Sequence, residues 1–294
     1  MMTAMTRPVD EAMAGQSYAE RLPIGALRDL ARTVWVQRVG VAPYRQRHLP
    51  TGGVELHCPV GSLPRLVGPL TGPVLETLAP GTTLIGVRFR PGVAGAVFGV
   101  PARRLVDLTL GLDEVWGPAA VGLGAAVAAA GTPEAALRVV QDHLVAHRAG
   151  TAPPDPLVAE AVRRLMPWEP GPPGRIAALG DRLGTSESQL RRRCLAAVGI
   201  GPKALQRTLR FQGFLALAQS TGMRAPTPDD GGLAGLAARS GFADHAHMSR
   251  ECGRLTGLPP RAFLGDGTGG CDCGHDHSAS YLPFLRSLRL AVPA

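Results

Sequence analysis

The last third of this 294-residue chain carries one pattern twice. Ile176, Leu179, Arg182 and Gly184 recur 57 positions later as Leu233, Leu236, Arg239 and Gly241. One residue is then added, and Leu190, Arg192, Cys194, Gly199 and Pro202 recur 58 positions later as Met248, Arg250, Cys252, Gly257 and Pro260. Apolar residues at helical spacing make each copy a short helix, a turn and a second helix. Such a unit, repeated and rich in arginine, suits a chain that grips two places on a DNA duplex.

The details of each copy fit a helix-turn-helix. Ile176, Leu179 and Leu183 share one face of the first short helix. Gly180 stands four residues before the turn residue Gly184, and Ala237 and Gly241 repeat that pair. Two helices crossing closely need a small side chain at the first position, and a tight turn needs a residue tolerant of positive φ at the second. Ser186 caps the second helix, with Gln189 three residues on in capping-box position. Leu190 and Cys194 face the core, which leaves Ser186, Glu187, Ser188, Arg191 and Arg192 for DNA. In the second copy Met248 and Cys252 take the core positions, and the outer face becomes His245, Ala246, Ser249 and Arg250. Arginine reads guanine bidentately or clamps phosphate, while serine and histidine donate to bases or backbone. The two cysteines recur at a core position and read as buried apolar groups.

Charge supports the same assignment. The net charge is +8, and residues 157–265 hold 15 of the 31 basic residues but only 8 of the 23 acidic ones. An excess of +7 therefore sits in the repeated region, as phosphate neutralisation requires. A solvated basic face gives the same number, so charge alone does not decide.

Residues 157–264 resemble the DNA-binding domain of the AraC/XylS family of bacterial transcription regulators. The stretch that carries the resemblance runs Gly241-Phe242-Ala243-Asp244-His245-Ala246-His247-Met248-Ser249-Arg250, followed by Leu255-Thr256-Gly257-Leu258-Pro259-Pro260-Arg261-Ala262-Phe263. The first copy is in register with it at Ser186, Leu190, Arg192 and Gly199. The resemblance implies that the helix from Pro202 to Ser220 is a rigid linker holding two recognition helices in successive major grooves. It implies double-stranded DNA as partner, RNA polymerase as a further partner if the protein activates, and an effector-modulated, sequence-specific regulator. Departures are Cys194 and Cys252 at places where the family usually has phenylalanine, Gly213 inside the linker helix, and a long loop at 223–232. The two outer faces differ, so a single chain is expected to read two unlike half-sites.

The amino-terminal half has a different texture. Segments 31–39, 53–60 and 82–90 are β-branched and partly alternating, and glycine and proline crowd the intervals between them. Short strands at this spacing suit a small barrel or sandwich. Helices are expected over 101–108, 118–130 and 133–147, the last with Thr132 as N-cap and Pro133 at its first position. More weakly, this half resembles a sensor-like domain found ahead of such DNA-binding domains in actinobacterial regulators. The residues concerned are 48–56 (HLPTGGVEL), 86–92 (GVRFRPG) and 112–117 (LDEVWG). The resemblance implies a β-rich fold with an effector-binding or dimerising role, hence a small-molecule effector and a homodimer as possible partners. Arg88 and Arg90 alternate with Val87 and Phe89, and either line a pocket for an anionic effector or are exposed or structurally paired.

The fold class read from this is α+β: a β-rich barrel- or sandwich-like domain with trailing helices, then an all-α double helix-turn-helix domain. The boundaries are a disordered lead-in at 1–18, the β-rich domain at 19–150, a stiff linker at 151–156 (TAPPDP), the DNA-binding domain at 157–265 and a tail at 266–294. No segment reads as a membrane span, residues 1–20 lack signal-peptide architecture, and five cysteines do not suggest a disulfide framework. The expected location is cytoplasmic.

Two features leave other readings open. Cys271, Cys273, His275 and His277 alternate in the tail, and in an extended strand all four would share one face suited to zinc or a softer metal. Their spacing is tighter than that of an ordinary structural zinc site. The readings are a disordered tail with chance content, a metal-responsive tail, or a site shared with another segment or subunit; no cofactor is otherwise required. The second feature is Cys58. The same DNA-binding domain occurs fused to alkyl-repair modules with a nucleophilic cysteine. But His57 is a strand neighbour and points to the opposite face, so Cys58 lacks an activating partner and no enzymatic activity is expected.

Overall fold

The computed structural model of the protein describes residues 15–148, 150–168, 176–220, 232–265 and 278–291. Its amino-terminal half holds eight strands: β1 (Ser17–Arg21), β2 (Ala31–Arg38), β3 (Tyr44–His48), β4 (Glu55–Pro59), β5 (Arg65–Val67), β6 (Val74–Leu78), β7 (Thr83–Phe89) and β8 (Thr109–Gly111). Six of them form one antiparallel sheet in the order β1-β2-β7-β4-β5-β8, and β3 and β6 pair as a separate ribbon. The sheet has two free edges, so it is an open, layered arrangement and not a closed barrel.

Alternation along β2 and β7 sets the layers. Trp35 and Leu84 point to one face and meet Tyr44 and Leu78 of the ribbon. Val34, Ile85, Val87, Leu56 and Cys58 point to the other, under the helices α1 (Ala94–Phe98), α3 (Pro118–Ala129) and α4 (Pro133–Arg148); a short α2 (Asp113–Trp116) precedes α3. Gly86 pairs with Trp35 on one side and His57 on the other. A Cβ at Gly86 would overlap the Trp35 indole, so glycine is what lets the ring lie flat on the sheet.

Two expectations change. Residues 101–108 form only a 3₁₀ turn at Ala102–Arg104, because the chain turns left-handed at Asp107 (φ 56°) and enters β8. Ser17 and Tyr18, expected to belong to the lead-in, already pair with Arg38 and Gln37 in the sheet.

The carboxy-terminal half contains α5 (Pro156–Arg164), α6 (Ile176–Arg182), α7 (Glu187–Ala197), α8 (Pro202–Ser220), α9 (Gly232–Arg239), α10 (His245–Thr256) and α11 (Pro260–Gly265). Asp155 caps α5 by accepting from the amides of Leu157 and Val158 at 2.9 and 3.3 Å. The core runs along α8, where Phe211 and Phe214 stack at 5.8 Å and meet the inward residues of both repeats. Gly213 lies against Pro167, whose ring leaves no room for a Cβ. The glycine that costs helix propensity is thus required by packing.

The segment at 278–291, expected as part of a tail, is a helix. This α12 (Ser278–Ala291) packs on α8 and also on β1 and β2, so it touches both halves of the molecule. Phe284 is fully buried, with the Arg32 guanidinium 5.8 Å above its ring.

Candidate nucleic-acid interface

Each repeat folds as its spacing requires. Gly184 and Gly241 take φ of +63° and +76°, the left-handed backbone that the tight turn needs. A Cβ on Gly180 would lie 2.8 Å from the Thr185 carbonyl oxygen, which explains the small residue there. Ser186 Oγ accepts from the Gln189 amide at 3.2 Å and starts α7. In the second copy the cap is Asp244, whose carboxylate accepts from the His247 amide at 2.6 Å and starts α10. That cap escaped the sequence reading, although aspartate before a helix is a recognisable signal.

Leu190, Cys194, Met248 and Cys252 are completely buried. Burial pushes both thiols up to about 11, so they stay protonated and act as apolar filling. On the outer face Ser186, Glu187, Ser188, Arg191 and Arg192 are exposed, as are His245, Ala246 and Arg250, while Ser249 is half-buried. Arg191, Arg192 and Arg250 have no carboxylate partner among the described residues. Their neighbours are committed elsewhere. Arg193 binds Asp155 through two bonds of 2.7 and 2.6 Å, and Arg254 pairs with Glu251 at 3.0 Å. Free guanidinium groups therefore stand on the side of each helix that faces away from the core. Such groups can clamp phosphate or fork onto guanine.

The amino-terminal domain leaves these faces open and holds the units from behind. Arg47 Nη1 donates to the Thr256 carbonyl at the end of α10 at 2.8 Å. Gln212 Nε2, in the middle of α8, donates to the Pro50 carbonyl at 2.9 Å. Leu49 packs on the same core. None of these contacts has a local sequence signal, because each joins residues more than 150 positions apart.

A polar network lies between the six-stranded sheet and the ribbon and extends to α12. Arg88 donates to Glu55 and to Glu20, both at 2.8 Å, so of the alternatives for Arg88 and Arg90 the structure shows pairing. Arg90 donates to the Arg28 carbonyl at 2.8 Å. Burial alone would raise the Glu55 carboxyl, but Arg88 and the hydrogen bond from His57 outweigh it and hold it below the ordinary carboxylate range. His57 is fully buried and shifted downward by burial, hence neutral near pH 7. Its ring meets Trp35 edge-on at 5.1 Å. Trp35 Nε1, His57 Nδ1 and both amide atoms of Gln37 are buried without a hydrogen-bond partner among the described residues.

Cys58 lies on the helix side of the sheet, its thiol raised by burial, while His57 points to the ribbon. Among the described residues burial alone shifts it, and in the direction that disfavours a thiolate. Cys271, Cys273, His275 and His277 lie outside the described residues, and among those described no group of histidine, cysteine and carboxylate side chains is arranged to hold a metal ion.

Residues 179–266 match a family model described as a helix-turn-helix domain. The carboxy-terminal repeat therefore lies in a helix-turn-helix domain. Residues 19–111 match a second model, described as a domain of unknown function (DUF6597). No curated protein matches the chain significantly. Among solved structures, ToxT from Vibrio cholerae O395 shares 12% identity over 84% of this chain and 97% of its own, with a TM-score of 0.43. The same protein bound to (E)-4-(8-methylnaphthalen-1-yl)but-3-enoic acid gives 12%, 84%, 98% and 0.44. Unsaturated fatty acid bound wild-type ToxT from strain SCE256 gives 13%, 85%, 94% and 0.38. At that distance the ligands of those proteins say nothing about this one. Among the described residues no helix is long and apolar enough to cross a membrane.

Proposed function

We propose that the protein is a sequence-specific transcription regulator that reads two unlike half-sites with α7 and α10 of its AraC-type domain, under the control of a small effector held in the amino-terminal domain. The observation that carries DNA reading is the pair of arginines, Arg192 and Arg250, at equivalent exposed positions of the repeat and without a carboxylate partner among the described residues. Different neighbours, Glu187 and Ser188 against His245 and Ala246, support an asymmetric operator. The effector reading is supported by the buried, unpartnered polar atoms of Trp35, Gln37 and His57 between the sheet and the ribbon. With Arg88 already held by two carboxylates, an uncharged effector with both donors and acceptors suits that interior.

Selection of bound fragments from genomic DNA, followed by footprinting, tests the reading. One continuous protected site with two dissimilar half-sites is the expected result. Binding with no sequence preference would reject it.

A further inference from the structure

Gly199 and Gly257 hold the same place in the two copies, each at the left-handed turn that ends a recognition helix (φ +89° and +75°). Both lie against one loop of the amino-terminal domain, residues 68–73 (GPLTGP), between β5 and β6. A Cβ on Gly199 would come to 2.9 Å from Val106 Cγ2 and to 3.0 Å from both the Ala102 carbonyl oxygen and Pro69 Cγ; one on Gly257 would come to 3.4 Å from Pro73 Cγ and 3.5 Å from Arg47 Nη1. The first recognition helix thus ends against Pro69 together with Ala102 and Val106, and the second ends against Pro73, four residues further along the loop, together with Arg47.

The loop between the two prolines is held still. Asp107 accepts from the Thr71 amide at 2.7 Å and from the Thr71 hydroxyl at 2.6 Å, while its own amide donates to the Pro69 carbonyl at 3.1 Å. The Gly68 amide donates to the Leu108 carbonyl at 2.9 Å. Asp107 does this from a left-handed backbone (φ 56°), a conformation that aspartate and asparagine tolerate better than most residues. Proline at both ends fixes φ and stiffens the loop further.

We propose that this loop is a gauge. By docking Pro69 at the end of α7, and Pro73 with Arg47 at the end of α10, it fixes the separation and angle of the recognition helices. The protein then selects operators with one spacing between half-sites. Asp107 and Arg47 are positioning residues that set this spacing without touching DNA. The physical reason is one of scale. An inserted base pair moves a half-site by about 3.4 Å along the duplex and turns it about the axis. A gap of only about 0.5–1 Å already forfeits a quarter to a half of a van der Waals contact. A shifted half-site therefore breaks either the loop contacts or the DNA contacts. The inference rests on reading α7 and α10 as recognition helices.

The test uses the full chain, its selected operator, and the same operator with one or two base pairs inserted between the half-sites. For the unmodified protein, Kd is expected to rise about tenfold or more on the first insertion. Asp107→Ala and Arg47→Ala should each shrink that ratio to about threefold or less. Asp107→Asn, which still accepts from the Thr71 amide and tolerates the left-handed backbone, should keep it. Because Asp107 is exposed, its replacement leaves the core intact, and the spacing ratio is insensitive to a uniform loss of active protein. An unmodified protein indifferent to the insertion, or an unchanged ratio in both alanine variants, overturns the gauge. Loss of recognition itself is read separately, from Arg192→Ala and Arg250→Ala on the uninserted operator.

Discussion

The backbone amide of Ser280 donates to the Glu20 carboxylate at 2.8 Å, joining the first turn of α12 to β1 across 260 residues of chain. The Ser280 hydroxyl reaches the same carboxylate at 2.8 Å, and Arg88 bonds both residues. A buried carboxylate at a helix start, neutralised by a guanidinium, is a stable arrangement only while all three partners are present. Because α12 also lies on α8, this node links the β-sheet to the helix that joins the two helix-turn-helix units.

Removing one member should therefore cost far more than a surface ion pair. Glu20→Ala leaves Arg88 buried with one carboxylate fewer, and is expected to destabilise the chain by about 3–5 kcal/mol. Urea unfolding followed by circular dichroism measures this. A change within the few tenths of a kcal/mol typical of surface sites would show that the node does not join the domains.

Acid should weaken the fold in two stages. Burial lowers the His57 imidazole, despite Glu55 beside it, from an ordinary value of 6.5. Below that pH the unfolded chain takes up a proton that the folded chain refuses, so stability falls as pH drops, by at most about 1.4 kcal/mol per pH unit. Glu76 behaves as a carboxylate held low. Burial pushes it up, but hydrogen bonds and charge from His48 and Arg65 bring it from 4.5 down to about 2. Its contribution is present above 4.5 and is lost as pH falls toward 2. Urea midpoints across this range should fall from about pH 6.5 in the native chain and later in His57→Gln. Identical profiles for the two proteins would contradict the role given to His57.

Gly213→Ala separates packing from propensity. In an exposed helix the change would gain roughly 1 kcal/mol. Here a Cβ would come to 2.6 Å from Pro167 Cγ, so the variant should instead lose about 1–3 kcal/mol. A raised melting temperature would refute the contact.

Much of the helix-turn-helix half was legible because its signals are local. Turn glycines, the Ser186 cap and the buried positions of each copy follow from spacing within about 25 residues. Strands β3 (YRQRH) and β6 (VLETL) were not legible, because their inward positions include Gln46, His48 and Glu76. His48 and Glu76 find each other only once the ribbon has formed. Helix α12 was hidden by Pro283 inside it and by the absence of any neighbour in sequence for Ser280 and Phe284. The docking of Pro69 and Pro73 on Gly199 and Gly257 joins residues 130 or more positions apart, and nothing in either segment announces the other.

The central claim is that α7 and α10 each read their own half of one operator. Arg192→Ala and Arg250→Ala should each weaken binding by about 1–3 kcal/mol, and each should relax sequence preference in one half-site only. Site selection with the native protein and the two variants, at one fixed salt concentration, measures both effects together. Two variants that keep native affinity and preference, or that both blur the same half-site, would contradict the account.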